Sequence, residues 1–274
     1  MTDAKKGVRH VLGISGGKDS AALAVYMRDR VPEMEYFFTD TGAELPEVYD
    51  FLDRLEGYLG KPIARLTPES SRPDRTPFDE LLDKYGGFLP SPNTRWCTRE
   101  LKIKPFEAWV GEDQVLTYVA IRADEARDGY RSTKSNIRPV FPFKEDGVRL
   151  RDVERILEKA GIGLPEYYTW RSRSGCYFCF FQRKSEWVAL SKQHPDLFDS
   201  AKAYEKFDPD SGERFTWSRG ETLEELISRA ADIRRLEVGG TKTSIQSRAA
   251  SWQEVLAADD DNDFDQGPCL TCVL

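Results

Sequence analysis

The chain has 274 residues, 39% hydrophobic and 12% aromatic, and a formal charge of −7. That length buries a core in one large or two small domains, and no apolar run approaches the roughly 20 residues of a membrane span. The start, Met1-Thr2-Asp3-Ala4-Lys5-Lys6, lacks a signal-peptide apolar stretch, so a cytoplasmic protein is expected, and five cysteines, an odd number, argue against a disulfide framework and leave metal, cluster or redox use open.

In chain order, residues 8–14 read as a first strand and 19–30 as a helix. Between them lies Ser15-Gly16-Gly17-Lys18-Asp19-Ser20. Two glycines let the backbone approach an anion closely and take positive φ. The first helical amides have no intrahelical partner and point at an anion, and successive turn amides form a nest. Ser15 and Ser20 add hydroxyl donors and Lys18 a point charge. Asp19 caps the helix or holds a Mg²⁺ that neutralises phosphate charge. The spacing is not that of a Walker A loop. The plainer alternative is a βα turn that uses glycine for geometry alone.

Residues 34–39 read as a second buried strand, ended by Asp40-Thr41-Gly42. Glu47 to Tyr58 has helical spacing with Pro46 at its first turn, and 62–66 is a third short strand. Strands alternating with helices predict an α/β fold: a doubly wound, mainly parallel sheet flanked by helices. Ligands of such sheets bind outside the strand carboxyl ends at a switch point, so 15–20 and 40–42 are expected to share one nucleotide.

Further on, Thr76 to Tyr85 reads as a short helix, 86–92 as a loop, and Trp96 to Val110 as a helix despite Pro105. Residues 115–121 are the clearest β run and lead into Arg122. Residues 139–142 are extended, Arg151 to Ala160 is a helix ending at Gly161, and 163–165 is a turn. Gly175-Cys176-Tyr177-Phe178-Cys179 is a tight turn, with helices expected within 183–207 and 221–237. Residues 257–268 are acidic and poor in apolar groups, a flexible tether to Cys269-Leu270-Thr271-Cys272. The expected organisation is a nucleotide-binding α/β domain over 1–170, a cysteine-containing helical region over 171–256, and an acidic tail over 257–274.

From Arg95 to Lys184, Lys and Arg outnumber Asp and Glu by 18 to 13 inside an acidic chain, as a polyanionic ligand near mid-chain would require. Solvated charged faces give the same count. Cys176 and Cys179 form a Cys-x-x-Cys pair that suits zinc, an iron–sulfur cluster or a dithiol couple. His10 and His194 lie in no motif and read as structural.

The glycine loop resembles the PP-loop of ATP pyrophosphatases, the adenine nucleotide alpha hydrolases. Those enzymes cleave ATP between the α and β phosphates and adenylylate a substrate. Phe38-Thr39-Asp40-Thr41-Gly42, Trp96-Cys97-Thr98-Arg99-Glu100-Leu101-Lys102, Ile121-Arg122-Ala123-Asp124-Glu125 and Gly175-Cys176-Tyr177-Phe178-Cys179 follow in the order of the phosphoadenosine-phosphosulfate reductase-like branch, over roughly 8–235. The Glu-Cys-Gly-Leu/Ile-His motif of true sulfonucleotide reductases is missing from the sequence, and the loop keeps Lys18. The nearer likeness is therefore to the ATP-pyrophosphatase component of DNA phosphorothioation systems, and more distantly to iron–sulfur tRNA thiolation enzymes.

This resemblance implies ATP and Mg²⁺ as cofactors, with Lys18, Asp19 and Arg122 as catalytic residues. Ser15 to Ser20, Asp40, Thr41, Gly42 and Arg122 would bind the nucleotide. Arg95, Lys102, Arg127 and Arg131 recur in the matching stretches and face phosphate or form surface ion pairs. Cys97 falls where the family places a ligand. With Cys176 and Cys179 it would hold three corners of a [4Fe–4S] cluster, Cys272 or Cys269 completing it; zinc and unmetallated thiols are the alternatives. The implied partners are a cysteine desulfurase as sulfur donor and nucleic acid, DNA ahead of tRNA, as acceptor. No membrane partner is implied, and homo-oligomerisation stays open. Two other readings compete: a thiol-dependent reductase of adenylylated sulfate, and a nucleotide-binding subunit without turnover.

Overall fold

A computed structural model describes residues 7–233 apart from 69, 71, 73, 128–131, 208, 209 and 211. Its apolar runs pair as five parallel strands: β1 (Arg9–Gly13), β2 (Glu35–Thr39), β3 (Ile63–Leu66), β4 (Val115–Tyr118) and β5 (Ile137–Val140), in the order β3-β2-β1-β4-β5. Val11, Leu12 and Phe37 have no exposed surface. Strands covered on both faces read in sequence as nearly unbroken apolar runs, which is why they are legible. Arg9 pairs with Val115 on one side of β1 while Val11 pairs with Glu35 on the other. The chain winds outward from β1 to β3 and restarts beside β1 at β4. The switch point thus lies at the carboxyl ends of β1 and β4, and ligands of doubly wound sheets bind there.

Helices α1 (Lys18–Met27) and α2 (Pro46–Leu59) follow the first two strands. Pro46 opens α2, and Gly60 ends it in the left-handed conformation that a C-terminal glycine adopts without a Cβ penalty. Thr76 caps α3 (Pro77–Lys84) through a reciprocal pair of bonds with Asp79. The expected helix from Trp96 to Val110 forms in three pieces: α4 (Trp96–Thr98), a π turn over Arg99–Ile103, and α5 (Lys104–Val110). A proline ring collides with the carbonyl four residues back. The π turn widens the helix there, so that the Lys104 amide donates to Arg99, and Pro105 is accommodated without a break. Phe106 of α5 stacks on Phe37 with centroids 4.7 Å apart, and Val110, Val115 and Ile137 complete that core.

Residues 139–142, expected as merely extended, divide. Pro139 lies in β5, an edge strand where a missing N–H breaks no ladder, and Pro142 opens α6 (Pro142–Glu145). Helix α7 (Leu150–Lys159) packs against α1. Among the described residues no helix is long and apolar enough to cross a membrane.

The described residues form two compact units, one ending at Tyr177 and one beginning at Phe178. In the second, α8 (Lys184–Gln193) and α9 (Pro195–Ala203) are separated at His194, because a residue before proline is driven from helical geometry. A hairpin of β6 (Lys206–Phe207) and β7 (Arg214–Phe215) follows, then α10 (Leu223–Ser228). The hairpin was not expected, since two-residue strands leave no periodicity to read. Trp217 lies against Phe178 at 5.2 Å and donates its indole N–H to the Ala201 carbonyl at 2.9 Å. The acidic tether, Cys269, Cys272 and Arg131 lie outside the described residues.

One carboxylate fixes how the second unit responds to acid. Arg229 donates two bonds of 2.7 Å to Glu221, and Lys184 adds an ion pair at 3.1 Å. Hydrogen bonding from Arg229, opposed by partial burial and reinforced by Lys184, lowers its pKa from 4.5 to about 2. A depressed folded pKa stabilises above the unfolded value and is lost as pH falls through the folded one. Denaturant titrations between pH 5 and pH 2 should therefore show a loss of about 1–2 kcal/mol, allowing for screening of the part-exposed cations. Glu221→Gln should flatten that dependence; an unchanged profile would contradict it.

Candidate active site

The loop after β1 is shaped by close contacts at its two glycines. Gly16 has φ +74, and a Cβ there would lie 2.5 Å from Val48 Cγ1. Gly17 is the N-cap of α1, and a Cβ on it would meet Ser174 Oγ at 2.9 Å. The Ser20 hydroxyl is used within the loop: it accepts the Ser15 amide at 3.0 Å, lies 3.1 Å from Ser15 Oγ and donates to the Gly17 carbonyl at 3.2 Å. Ser20 thus holds the turn that aims the amides.

Charge alternates across the loop. Lys18 Nζ and Arg122 Nη1 each lie 2.7 Å from one oxygen of Asp19. Arg122 also pairs with Asp124 at 3.0 Å and Glu125 at 2.8 Å, and Arg127 meets the other oxygen of Glu125 at 2.7 Å. Burial works against the Arg122 charge, but Asp19, then Glu125 and Asp124, outweigh it and the guanidinium is held above its ordinary pKa. A cation fixed this way, just past β4, is placed for an anion arriving at the switch point.

At the end of β2, Asp40 Oδ1 accepts the Gly42 amide at 2.9 Å and the Tyr49 hydroxyl at 2.8 Å. Burial, then the bond to Asp40, pushes Tyr49 well up, so it stays a neutral donor. Thr41 donates to Glu44 at 3.0 Å and lies 3.2 Å from Cys176 Sγ, which is itself 3.6 Å from the Glu44 carboxylate. Glu44 is only 6% exposed. Arg171, 2% exposed, fixes the cysteine turn by donating to the Gly175 and Cys176 carbonyls at 3.0 and 2.8 Å.

The short 3₁₀ turn Glu166–Thr169 closes on the loop from far along the chain. Tyr167 donates to the Gly16 carbonyl at 2.8 Å, and Tyr168 accepts the Lys18 backbone N–H at 3.3 Å. Their rings stack at 4.9 Å, with Lys18 Nζ 5.6 Å from the centre of the Tyr168 ring. Ser174 donates to Ser15 Oγ at 3.4 Å. Burial raises the pKa of both tyrosines, which keeps their hydroxyls neutral.

The structure brings Ser15 to Ser20 together with Arg122, and sets Asp40, Thr41 and Gly42 at the end of the neighbouring strand beside Cys176. It does not assemble the expected metal centre. Among the described residues no group of three or more His, Cys, Asp or Glu side chains is arranged to hold a metal ion. Cys97 lies in α4, and Cys176 faces Thr41 and Glu44. The described residues support neither the [4Fe–4S] cluster nor the zinc alternative. Cys97, Cys176 and Cys179 form no disulfide. His10 Nδ1 lies 2.8 Å from the Tyr118 hydroxyl.

Sequence reasoning missed Val48, Glu44, Tyr167, Tyr168, Arg171 and Ser174. The available signal was the adjacent pair Tyr167-Tyr168 between a turn and the cysteine motif. Two neighbouring polar-tipped aromatics cannot share one helical core face.

Comparison with known proteins agrees with this geometry. Residues 9–141 match the phosphoadenosine phosphosulfate reductase domain. An uncharacterized protein of Methanocaldococcus jannaschii is 24% identical over 200 residues, 68% of this chain and 44% of that protein. The tRNA-specific 2-thiouridylase MnmA of Verminephrobacter eiseniae is 28% identical over 204 residues, 63% of this chain and 53% of that enzyme. The chain thus spans about half the length of these relatives. A phosphoadenylyl-sulfate reductase from Candida auris, solved as a phosphate complex, aligns with TM-score 0.48 and 16% identity over 62% of this chain and 82% of that one. Residues 9–141, which hold the glycine loop and the five parallel strands, are thus similar to the phosphoadenosine phosphosulfate reductase domain, and with the likeness to the thiouridylases this supports the adenine nucleotide alpha hydrolase family for this chain.

Proposed function

We propose that this protein is an ATP pyrophosphatase that adenylylates a nucleic-acid acceptor in preparation for sulfur insertion. The observation that carries the reading is the intact loop: amides aimed by Ser20, with Lys18 and Arg122 both held at Asp19. ATP would place its β and γ phosphates against the loop amides and Lys18, and its nucleoside towards Asp40, Thr41 and Gly42. An acceptor oxygen attacks the α phosphorus, the bond to the β-phosphate oxygen breaks, and pyrophosphate leaves with that electron pair. Arg122 is placed to stabilise charge on the transferring group, and the loop to position it. Mg²⁺ binds nucleotide phosphates through one or two protein carboxylates; Asp19 would hold it once Lys18 and Arg122 turn from its oxygens to the phosphates, and the bound ion would supply further charge neutralisation.

The relatives named as tRNA-specific 2-thiouridylases support a nucleic-acid acceptor receiving sulfur. The acceptor would be a DNA backbone phosphate or a tRNA base, and the sulfur donor a cysteine desulfurase. The matching domain description favours one competitor, reduction of an adenylylated sulfate by thiols.

The test is pyrophosphate release from ATP by anaerobically purified protein, with DNA, tRNA or no acceptor, and iron and acid-labile sulfide assayed on the same sample. Release stimulated by one nucleic acid, and weakened by salt as phosphate contacts require, is the expected result. Consumption of adenylylated sulfate with a thiol donor, and no pyrophosphate from ATP, would replace this reading with the reductase.

A further inference from the structure

The groups that would receive a phosphate already have partners within the chain. Lys18 Nζ is held by Asp19, and Arg122 by three carboxylates. The Lys18 backbone amide, at the first position of a ten-residue helix, is the donor best placed for an anion, and the Tyr168 hydroxyl oxygen occupies it at 3.3 Å. That bond is long for N–H···O, so little is lost in giving it up. The neighbouring Tyr167 bond differs. At 2.8 Å and fully buried, it runs to the Gly16 carbonyl, which no phosphate competes for.

We infer that the Tyr168 hydroxyl is the resting occupant of a phosphate position, and that a pyrophosphate-bearing ligand displaces it from the Lys18 amide while Tyr167 keeps the loop in shape. The inference rests on reading the loop as a nucleotide site. Tyr168 is then a positioning residue. It keeps the amide satisfied when no nucleotide is present, and its hydroxyl competes with phosphate oxygen for one N–H. Its ring, near Lys18 Nζ, keeps the ammonium in place during the exchange.

Competition of this kind has a signature that a structural role lacks. Tyr168→Phe keeps the ring and removes the competing oxygen, so affinity should rise. Removing one long neutral hydrogen bond, at the weak end of the usual range, from the unliganded state corresponds to about twofold to threefold tighter binding. The probes are inorganic pyrophosphate, ATP and adenosine, titrated by calorimetry against wild type and Tyr168→Phe, with thermal unfolding to confirm that both are folded. Pyrophosphate and ATP should bind the variant more tightly and adenosine equally. As a second measurement, pyrophosphate, which does not absorb in the near ultraviolet, should produce a tyrosine difference spectrum in wild type that Tyr168→Phe loses. Equal or weaker pyrophosphate binding by a folded variant, with wild type binding normally, overturns the inference and leaves the nucleotide reading standing. Failure of folded wild type to bind either ATP or pyrophosphate overturns both.

Discussion

Lys18→Ala is expected to lower pyrophosphate release from ATP by about a hundredfold to a thousandfold, the usual effect of deleting one preorganised charge from a phosphoryl-transfer site. The fold should survive. Asp19 loses one of its two cations, but Arg122 stays at 2.7 Å, so no carboxylate is stranded. A part-exposed pair of this kind is worth about 1 kcal/mol or less. Activity and stability should therefore separate: turnover collapses while the melting temperature hardly moves. That separation also distinguishes an enzyme from a subunit that only binds nucleotide. Near wild-type turnover in the variant would remove Lys18 from the chemistry and with it the reading of the loop.

Gly16→Ala should do the opposite and damage both properties. The residue sits at φ +74, where a side chain costs about 1–2 kcal/mol, and its Cβ would press to 2.5 Å from Val48 Cγ1, an overpacking worth about 1–3 kcal/mol more. The sum, about 2–5 kcal/mol, corresponds to a fall in melting temperature of roughly 5–15 °C for a domain of this size. Pyrophosphate binding should disappear, because the next two residues carry the amides that the loop presents. Adding Val48→Ala removes the close contact and leaves the backbone strain. The double variant should regain part of the lost stability relative to Val48→Ala alone. Unaltered melting and binding in Gly16→Ala would mean that the loop can relax away from α2.

The strand, loop and helix at 9–27 were legible because a strand covered on both faces writes an apolar run and a phosphate turn needs glycine. The structure sets Arg122 beside the loop and Asp40, Thr41 and Gly42 just past β2, positions that the motif and the strand order suggest in sequence. Pro105 looked like a helix breaker, and its helix survives because a π turn takes up the collision, which local propensity does not encode. Tyr167 and Tyr168, from a four-residue turn that has no period, and Ser174 beyond it reach the loop across 150 to 159 residues. Sequence spacing also drew the cysteines towards a common metal. It carries no information about what faces each thiol, and Cys176 faces a threonine hydroxyl and a buried carboxylate.

The reach of Tyr167 back to Gly16 has a consequence for how the protein is made. A nascent chain emerging from the ribosome through residue 141 holds every residue of the glycine loop and all five strands, yet lacks the tyrosine that grips the loop carbonyl and the serine that seats against Ser15. Helix α7, which packs on α1, is also still to come. The contacts that hold the loop are thus complete only once residue 174 has been synthesised, although the loop's own residues are among the first. Excising 9–141 as a minimal nucleotide-binding fragment would remove the clasp along with the rest; a fragment that keeps it extends at least to Ser174.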